Sequence, residues 1–233
     1  MVILGEVHDN PAHHAAQARA LAALNPTAVI WEMLSPEAAG RVDPALQPEA
    51  LGAVLGWAES GWPDFAMYAP LFAAAPGAVH VGAAVPAEAL RGAMTDGAAA
   101  AFGPGADRIG LDAPLPPEAQ VAEEARHAAA HCGALPEEML PGFVEAQRLR
   151  DAELARGALD ALAAHGPPVA IVAGSGHAAR EGVPSMLRAA GAEVLSIGQV
   201  EGAAPDGRFD LWLTAPAPDR ADPCDGFAAP ATR

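Results

Sequence analysis

The residues best suited to chemistry stand at the start of the chain, where Gly5-Glu6-Val7-His8-Asp9-Asn10-Pro11-Ala12-His13-His14 packs carboxylates and imidazoles into ten positions. The short apolar run Val2-Ile3-Leu4 in front of it has the length of a buried strand. Asn10-Pro11 behind it reads as a helix start, an Asn able to cap and a Pro where no N–H is needed. Side chains two apart along a strand share a side, so Glu6 and His8 are expected to face one site, with His13 and His14 in the first helical turn. Glu32 closes a second apolar run, Ala28-Val29-Ile30-Trp31, and His177 follows a third, Val169–Ala173. Strand ends of a parallel sheet form one rim where ligands bind, so Glu6, His8, Glu32 and His177 are expected to meet. Two imidazoles and two carboxylates suit general acid–base work on water. They also suit a divalent Mn, Fe, Co or Zn ion that activates water.

The elements that must position these groups follow from the pattern. A strand, a helix over 11–24 stopped by Asn25-Pro26, and a strand at 28–33 make a βαβ unit with parallel pairing. Helical pieces fill 36–75, a strand is expected near 79–85, a short helix at 86–94, and helices at 118–132 and 137–165. After the 169–173 strand come a helix near 183–190 and strands at 193–197 and 209–214. The fold class is therefore α/β, a central, mostly parallel sheet flanked by helices, in a single domain over 1–214. Residues 215–233 form an irregular Pro- and Asp-rich tail. Residues 103–117, rich in Pro and Gly, read as a long loop of the kind that serves as a lid or recognition segment.

The long helix carries a second signal. At 100° per residue Phe143, Val144, Leu154, Ala155, Ala158 and Leu162 share a face that also holds Gln147 and Asp151, with Arg150 at its edge. A carboxylate aimed at a core needs a partner, and either an Arg150–Asp151 pair or a place in the site would supply one. Gly174-Ser175-Gly176-His177 lacks the spacing of a phosphate loop and the flanks of a nucleophile elbow; its glycines let His177 approach a ligand closely. Tyr68, the single tyrosine, lies near Trp57, Trp62, Phe65 and Phe72. A core role is the default for an aromatic at helical spacing, but a phenolate can also ligate ferric iron. His80, His127, His131 and His165 have no comparable context.

Composition excludes some classes. The formal net charge is −16, and all 13 basic residues are arginines, which argues against nucleic acid or an anionic membrane surface as a partner. No run is long and apolar enough to cross a membrane. Cys132 and Cys224 lie far apart in no metal-like spacing and read as free thiols. No signal peptide opens this chain, yet Met1 stands almost on the first strand, which is consistent with a trimmed N-terminus.

Taken in order, Gly5-Glu6-Val7-His8-Asp9-Asn10 with His13-His14, Trp31-Glu32-Met33, Trp62-Pro63-Asp64-Phe65 with Tyr68-x-Pro70, Gln147-x-x-Arg150-Asp151, and Gly174-x-Gly176-His177 with Gly182-Val183-Pro184 resemble the ChaN-like haem-binding uptake proteins. These share a superfamily with the erythromycin esterases and the Tiki and TraB proteins, which implies as the alternative a metal-dependent hydrolase, an esterase or peptidase, using the cluster of Glu6, His8, Glu32 and His177. The resemblance implies an erythromycin esterase/ChaN-like fold, haem binding in bacterial iron uptake, and haem held at a homodimer interface. Family members are often envelope lipoproteins. It carries Glu6, His8, Glu32 and His177 over as the shared polar cluster and Tyr68 as the axial ligand. It places Trp62, Gln147, Asp151 and His177 around the haem, with His13, His14 and Arg150 meeting propionates or supporting the site. With no lysine in the chain, an arginine must meet a propionate.

Overall fold

A computed structural model describes residues 1–203, 207–222 and 224–225. Six parallel strands form one sheet: β1 (Val2–Glu6), β2 (Ala28–Trp31), β3 (Val79–Gly82), β4 (Val169–Gly174), β5 (Leu195–Glu201) and β6 (Leu211–Ala215). Among the described residues ten α-helices connect and cover them: α1 (Pro11–Leu24), α2 (Pro36–Ala39), α3 (Pro48–Leu55), α4 (Phe65–Ala74), α5 (Ala87–Asp96), α6 (Ala98–Phe102), α7 (Pro117–Ala130), α8 (Leu140–His165), α9 (Ser175–Ala178) and α10 (Val183–Ala189). The expected elements are present, with some refinements. β3 ends at Gly82 and β5 runs on to Glu201; Ser175–Ala178 form a single helical turn (α9), α6 is an added short helix, and part of the expected 103–117 loop coils into a short 3-10 turn at Asp107–Ile109.

Strand order is β3-β2-β4-β1-β5-β6, so the chain inserts β4 between its first two strands. β1 and β4 are buried along almost their whole length, as uniform apolarity requires of a parallel sheet covered on both faces. One core packs Ile3, Ile30, Ile171, Leu149 and Leu154 under α5, α6, α8 and α10. The other packs Leu4, Val29, Trp31, Val172 and Tyr68 under α1, α3 and α4. Register does the positioning: Glu6 pairs with Gly174, and the Glu32 N–H donates to the Val172 carbonyl 3.2 Å away, so three strand ends lie side by side.

Asn10 caps α1 as its position predicts, its Oδ1 accepting from the Ala12 N–H at 3.0 Å with Pro11 next. Its Nδ2 donates to Glu201 at 2.7 Å and to the Pro216 carbonyl at 3.0 Å. Arg220 pairs with Asp9 and Glu201. The described start of the tail is therefore tied back onto the β1–α1 turn; residues 223 and 226–233 lie outside the described residues.

The cysteines correct the free-thiol reading. Cys132, just beyond α7, and Cys224 in the tail form a disulfide across 92 residues. Sequence spacing hid this because the tail's route over the fold, and not local geometry, brings the two together. Closing so long a loop restricts the unfolded chain strongly. Cys132→Ser with Cys224→Ser is expected to lower the unfolding free energy by about 2–4 kcal/mol. Urea denaturation of the oxidised protein and the double variant measures the difference, and equal midpoints would refute it.

Candidate functional site

The strand ends deliver Glu6, His8, Glu32 and His177 to one place. Glu6 is buried at the last position of β1. Its Oε1 accepts from His8 Nδ1 and from the Tyr68 hydroxyl, both at 2.8 Å. Its Oε2 faces His14 Nδ1 at 3.3 Å. With Nδ1 donating to Glu6, His8 presents Nε2 toward Glu32 Oε1, 4.0 Å away. Its ring meets Trp62 edge-on, centroids 4.8 Å apart. Burial lowers the His8 pKa, but the Glu6 hydrogen bond and the Glu32 charge outweigh it and leave the group above its ordinary value.

Glu32 and Asp151 hold His177 between them. His177 Nδ1 donates to Asp151 Oδ1 at 2.6 Å, and Nε2 lies 3.3 Å from Glu32 Oε1. The other Glu32 oxygen accepts the Gly174 N–H at 2.7 Å. Burial alone would strip the His177 proton, but Glu32 and then Asp151 overcome it and hold the imidazolium up to about 10. Burial likewise opposes the Glu32 charge, and His177, His8 and the Gly174 N–H bring its carboxyl down to about 2. Burial pushes Asp151 up, against the pull of the imidazolium. The Gln147 amide lies 3.0 Å from His177 Nδ1. Gly174 makes room for this arrangement: a Cβ there would sit 2.9 Å from His8 Nε2.

Asp151 and Gln147, which the helix phase of α8 turns inward, both lie against His177, and Asp151 pairs with His177 and not with Arg150. The metal-ion reading finds no support. Both His177 nitrogens are held by carboxylates and His8 Nδ1 is held by Glu6, and among the described residues no three His, Cys, Asp or Glu side chains group as a metal site.

A cleft of about 640 Å3 opens over this cluster. His8, Glu32, Gln147 and His177 form its floor, Leu55, Trp57, Trp62 and Leu90 give it apolar walls, and Arg41 and Arg150 line it. Among the described residues neither arginine has an ion-pair or hydrogen-bond partner, whereas Arg148 and Arg156 on the same helix pair with Glu145 and Glu153. Sequence reasoning missed Arg41; it lies in a turn after α2 where no periodicity marks it.

Three expected haem contacts do not reach the cleft. Tyr68 is 0 % exposed, packed against His14 and Trp57, with its hydroxyl committed to Glu6. Burial and the neighbouring Glu6 charge raise its pKa far above the ordinary phenol value, so a phenolate is disfavoured. His13 and His14 are buried as well: His13 Nδ1 accepts the Val7 N–H at 2.9 Å and His14 Nε2 donates to the His8 carbonyl at 2.8 Å. They brace the β1–α1 turn that carries His8. His80 is half-buried and satisfied: its Nδ1 accepts from Trp31 Nε1 at 2.9 Å, and desolvation holds it down to about 4.

The fold is shared with a solved structure described as "Cofacial heme binding to ChaN of Campylobacter jejuni". The two chains are 20% identical with a TM-score of 0.66, over 91% of this chain and 85% of that one. A type III effector, HopBA1, aligns with a TM-score of 0.49 at 16% identity, over 92% of this chain and 87% of the effector. No curated protein matches. The family described as "Haem-binding uptake, Tiki superfamily, ChaN" matches residues 1–187, a span that holds the whole polar cluster and both unpaired arginines of the cleft. The chain belongs to that family.

Proposed function

We propose that the protein binds haem in the cleft above the Glu6–His8–Glu32–His177 cluster. The observation that carries this reading is the pairing of two arginines, Arg41 and Arg150, whose side chains have no partner among the described residues, with aromatic and aliphatic walls in a chain of formal charge −16. A porphyrin offers the complement, a flat apolar body with two carboxylates at one edge, and guanidinium groups bind carboxylates in fork geometry. A volume of about 640 Å3 is that of a site for a ligand of this class. The related Campylobacter protein is described as binding haem cofacially. A homodimer, as the family resemblance implies, belongs to this proposal and is read from the mass of the hemin complex.

Haem, when bound, supplies a ferric centre open to an axial donor. The donor set decides which residue can serve. Tyr68 does not fit, for the reasons of burial and hydrogen bonding above, and His177 has both nitrogens engaged. His8, with its side chain 35% exposed and Nε2 free of a hydrogen bond, is left among the cleft's imidazoles.

Hemin added to the purified protein is expected to give a saturable change in its Soret band. Arg150→Ala should weaken binding by about tenfold or more, since a charge-assisted contact is worth about 1.5–3 kcal/mol, and the double Arg41→Ala, Arg150→Ala variant should weaken it further. A wild-type protein whose added hemin keeps the spectrum of free hemin would end this reading.

A further inference from the structure

A second cavity, of about 530 Å3, lies on the far side of the His177–Asp151 pair. The Pro-rich stretch that the sequence marks as a lid or recognition segment forms one wall, through Pro114 and Leu115. Ala119 of α7 and Val144 of α8 face it, and Met186 of α10 closes it. α7 buries no residue of its own, so it lies over this cavity and not within a core. Gln147 touches both cavities, but Asp151 lines only this one and His177 only the haem cleft.

The charged groups around the second cavity are nearly all spoken for. Arg126 pairs with Glu123 and Glu181, and Arg208 pairs with Glu181. Arg148 pairs with Glu145 and donates to the carbonyls of Leu111 and Ala113. Asp151 is the exception. It is 5% exposed, its Oδ1 is taken by His177, and its Oδ2 has no hydrogen-bond partner among the described residues. His177 is the one cation that Asp151 reaches, and Asp151 shares it with Glu32, so Oδ2 stays unmet in a site nearly closed to water.

We propose that this cavity is a second ligand site, built for a small molecule with an apolar body and a primary ammonium head that donates to Asp151 Oδ2. The apolar wall of Pro114, Leu115, Val144 and Met186 takes the body, and the ammonium supplies the donor and the positive charge that Asp151 Oδ2 lacks. For an anionic ligand the cavity's guanidinium groups are already paired, and burial holds the His127 imidazole below its ordinary pKa. A neutral one would meet Asp151 but bring no charge to its open oxygen. Because Asp151 Oδ1 holds His177 Nδ1, the ammonium head would sit one imidazole ring away from the haem cleft. The site stands independently of whether the first cleft takes haem.

Methionine methyl groups labelled with 13C report the two cavities separately, Met186 in this one and Met33 in the other. Cyclohexylammonium should shift the Met186 signal saturably, at concentrations at least tenfold lower than cyclohexanol needs, while cyclohexanecarboxylate leaves it unmoved. Met33 should not respond. Asp151→Asn should weaken the ammonium about tenfold or more. Ala119→Phe, which fills the cavity and leaves Asp151 in place, should abolish the shift and covers the case in which the Asp151 variant does not fold. A Met186 signal that ignores cyclohexylammonium, responds alike to all three probes, or still responds in Ala119→Phe would overturn the proposal.

Discussion

His177→Ala should destabilise the protein by about 3–5 kcal/mol near pH 5–6, because it leaves Glu32 and Asp151 buried without their shared cation. The loss should shrink toward both ends of the pH range. The folded His177 holds its proton to about 10, against an ordinary 6.5 in the unfolded chain. Its contribution is therefore complete below pH 6.5 and drains away as pH rises from there toward 10. Glu32 titrates at about 2 when folded and at 4.5 when unfolded. Its contribution is complete above pH 4.5 and disappears as pH falls toward 2. Asp151, which burial pushes up, slopes the other way, so the acid limb belongs to Glu32. Urea unfolding of wild type and variant across pH 3–10 should show a gap that is widest at pH 4.5–6.5. A gap independent of pH would mean that the alanine variant loses packing and not an ion pair.

That ion pair shows how far the sequence could be read. Glu6, Glu32 and His177 were legible because three apolar runs each ended in polar chemistry, and parallel pairing sends such ends to one rim; the Glu6–Gly174 register is the physical reason they meet. Asp151 was legible from helix phase alone, since 100° per residue placed a carboxylate among alanines and leucines. Its partner was not, because whether an inward carboxylate meets Arg150 or His177 depends on how α8 lies across β4. The disulfide and Arg41 left no periodic trace. Tyr68 carried two readings, a core aromatic from its helix spacing and an iron ligand from the family resemblance, and it lies buried in one core with Phe72 as the spacing indicates. Of the two roles expected for His13 and His14, meeting propionates or supporting the site, their positions fit the second: the first turn of α1 faces the sheet, so its imidazoles hold the β1–α1 turn that carries His8 and do not line the cleft.

His8→Ala should remove the axial contact of bound hemin, while Tyr68→Phe should leave it intact, and this contrast separates the two donors on offer. Tyr68 gives its proton to Glu6 at 2.8 Å inside a closed core, so presenting a phenolate to iron would require breaking that bond and opening α4 from α1. Removing the hydroxyl deletes one hydrogen bond to a buried carboxylate. Its cost is about 1.5–3 kcal/mol of stability, with no direct effect on the cleft. His8 needs no such rearrangement. Glu6 takes its Nδ1–H, which fixes the tautomer and turns Nε2 toward the cleft, the arrangement by which carboxylates make imidazoles better ligands. Spectra of the hemin complexes should therefore keep an imidazole-ligated signature in Tyr68→Phe and lose it in His8→Ala. The His8 variant would retain weaker hemin binding through Arg41, Arg150 and the tryptophan walls. Loss of the signature in Tyr68→Phe at unchanged stability would reverse the assignment, and would show that the α1–α4 core opens when haem binds.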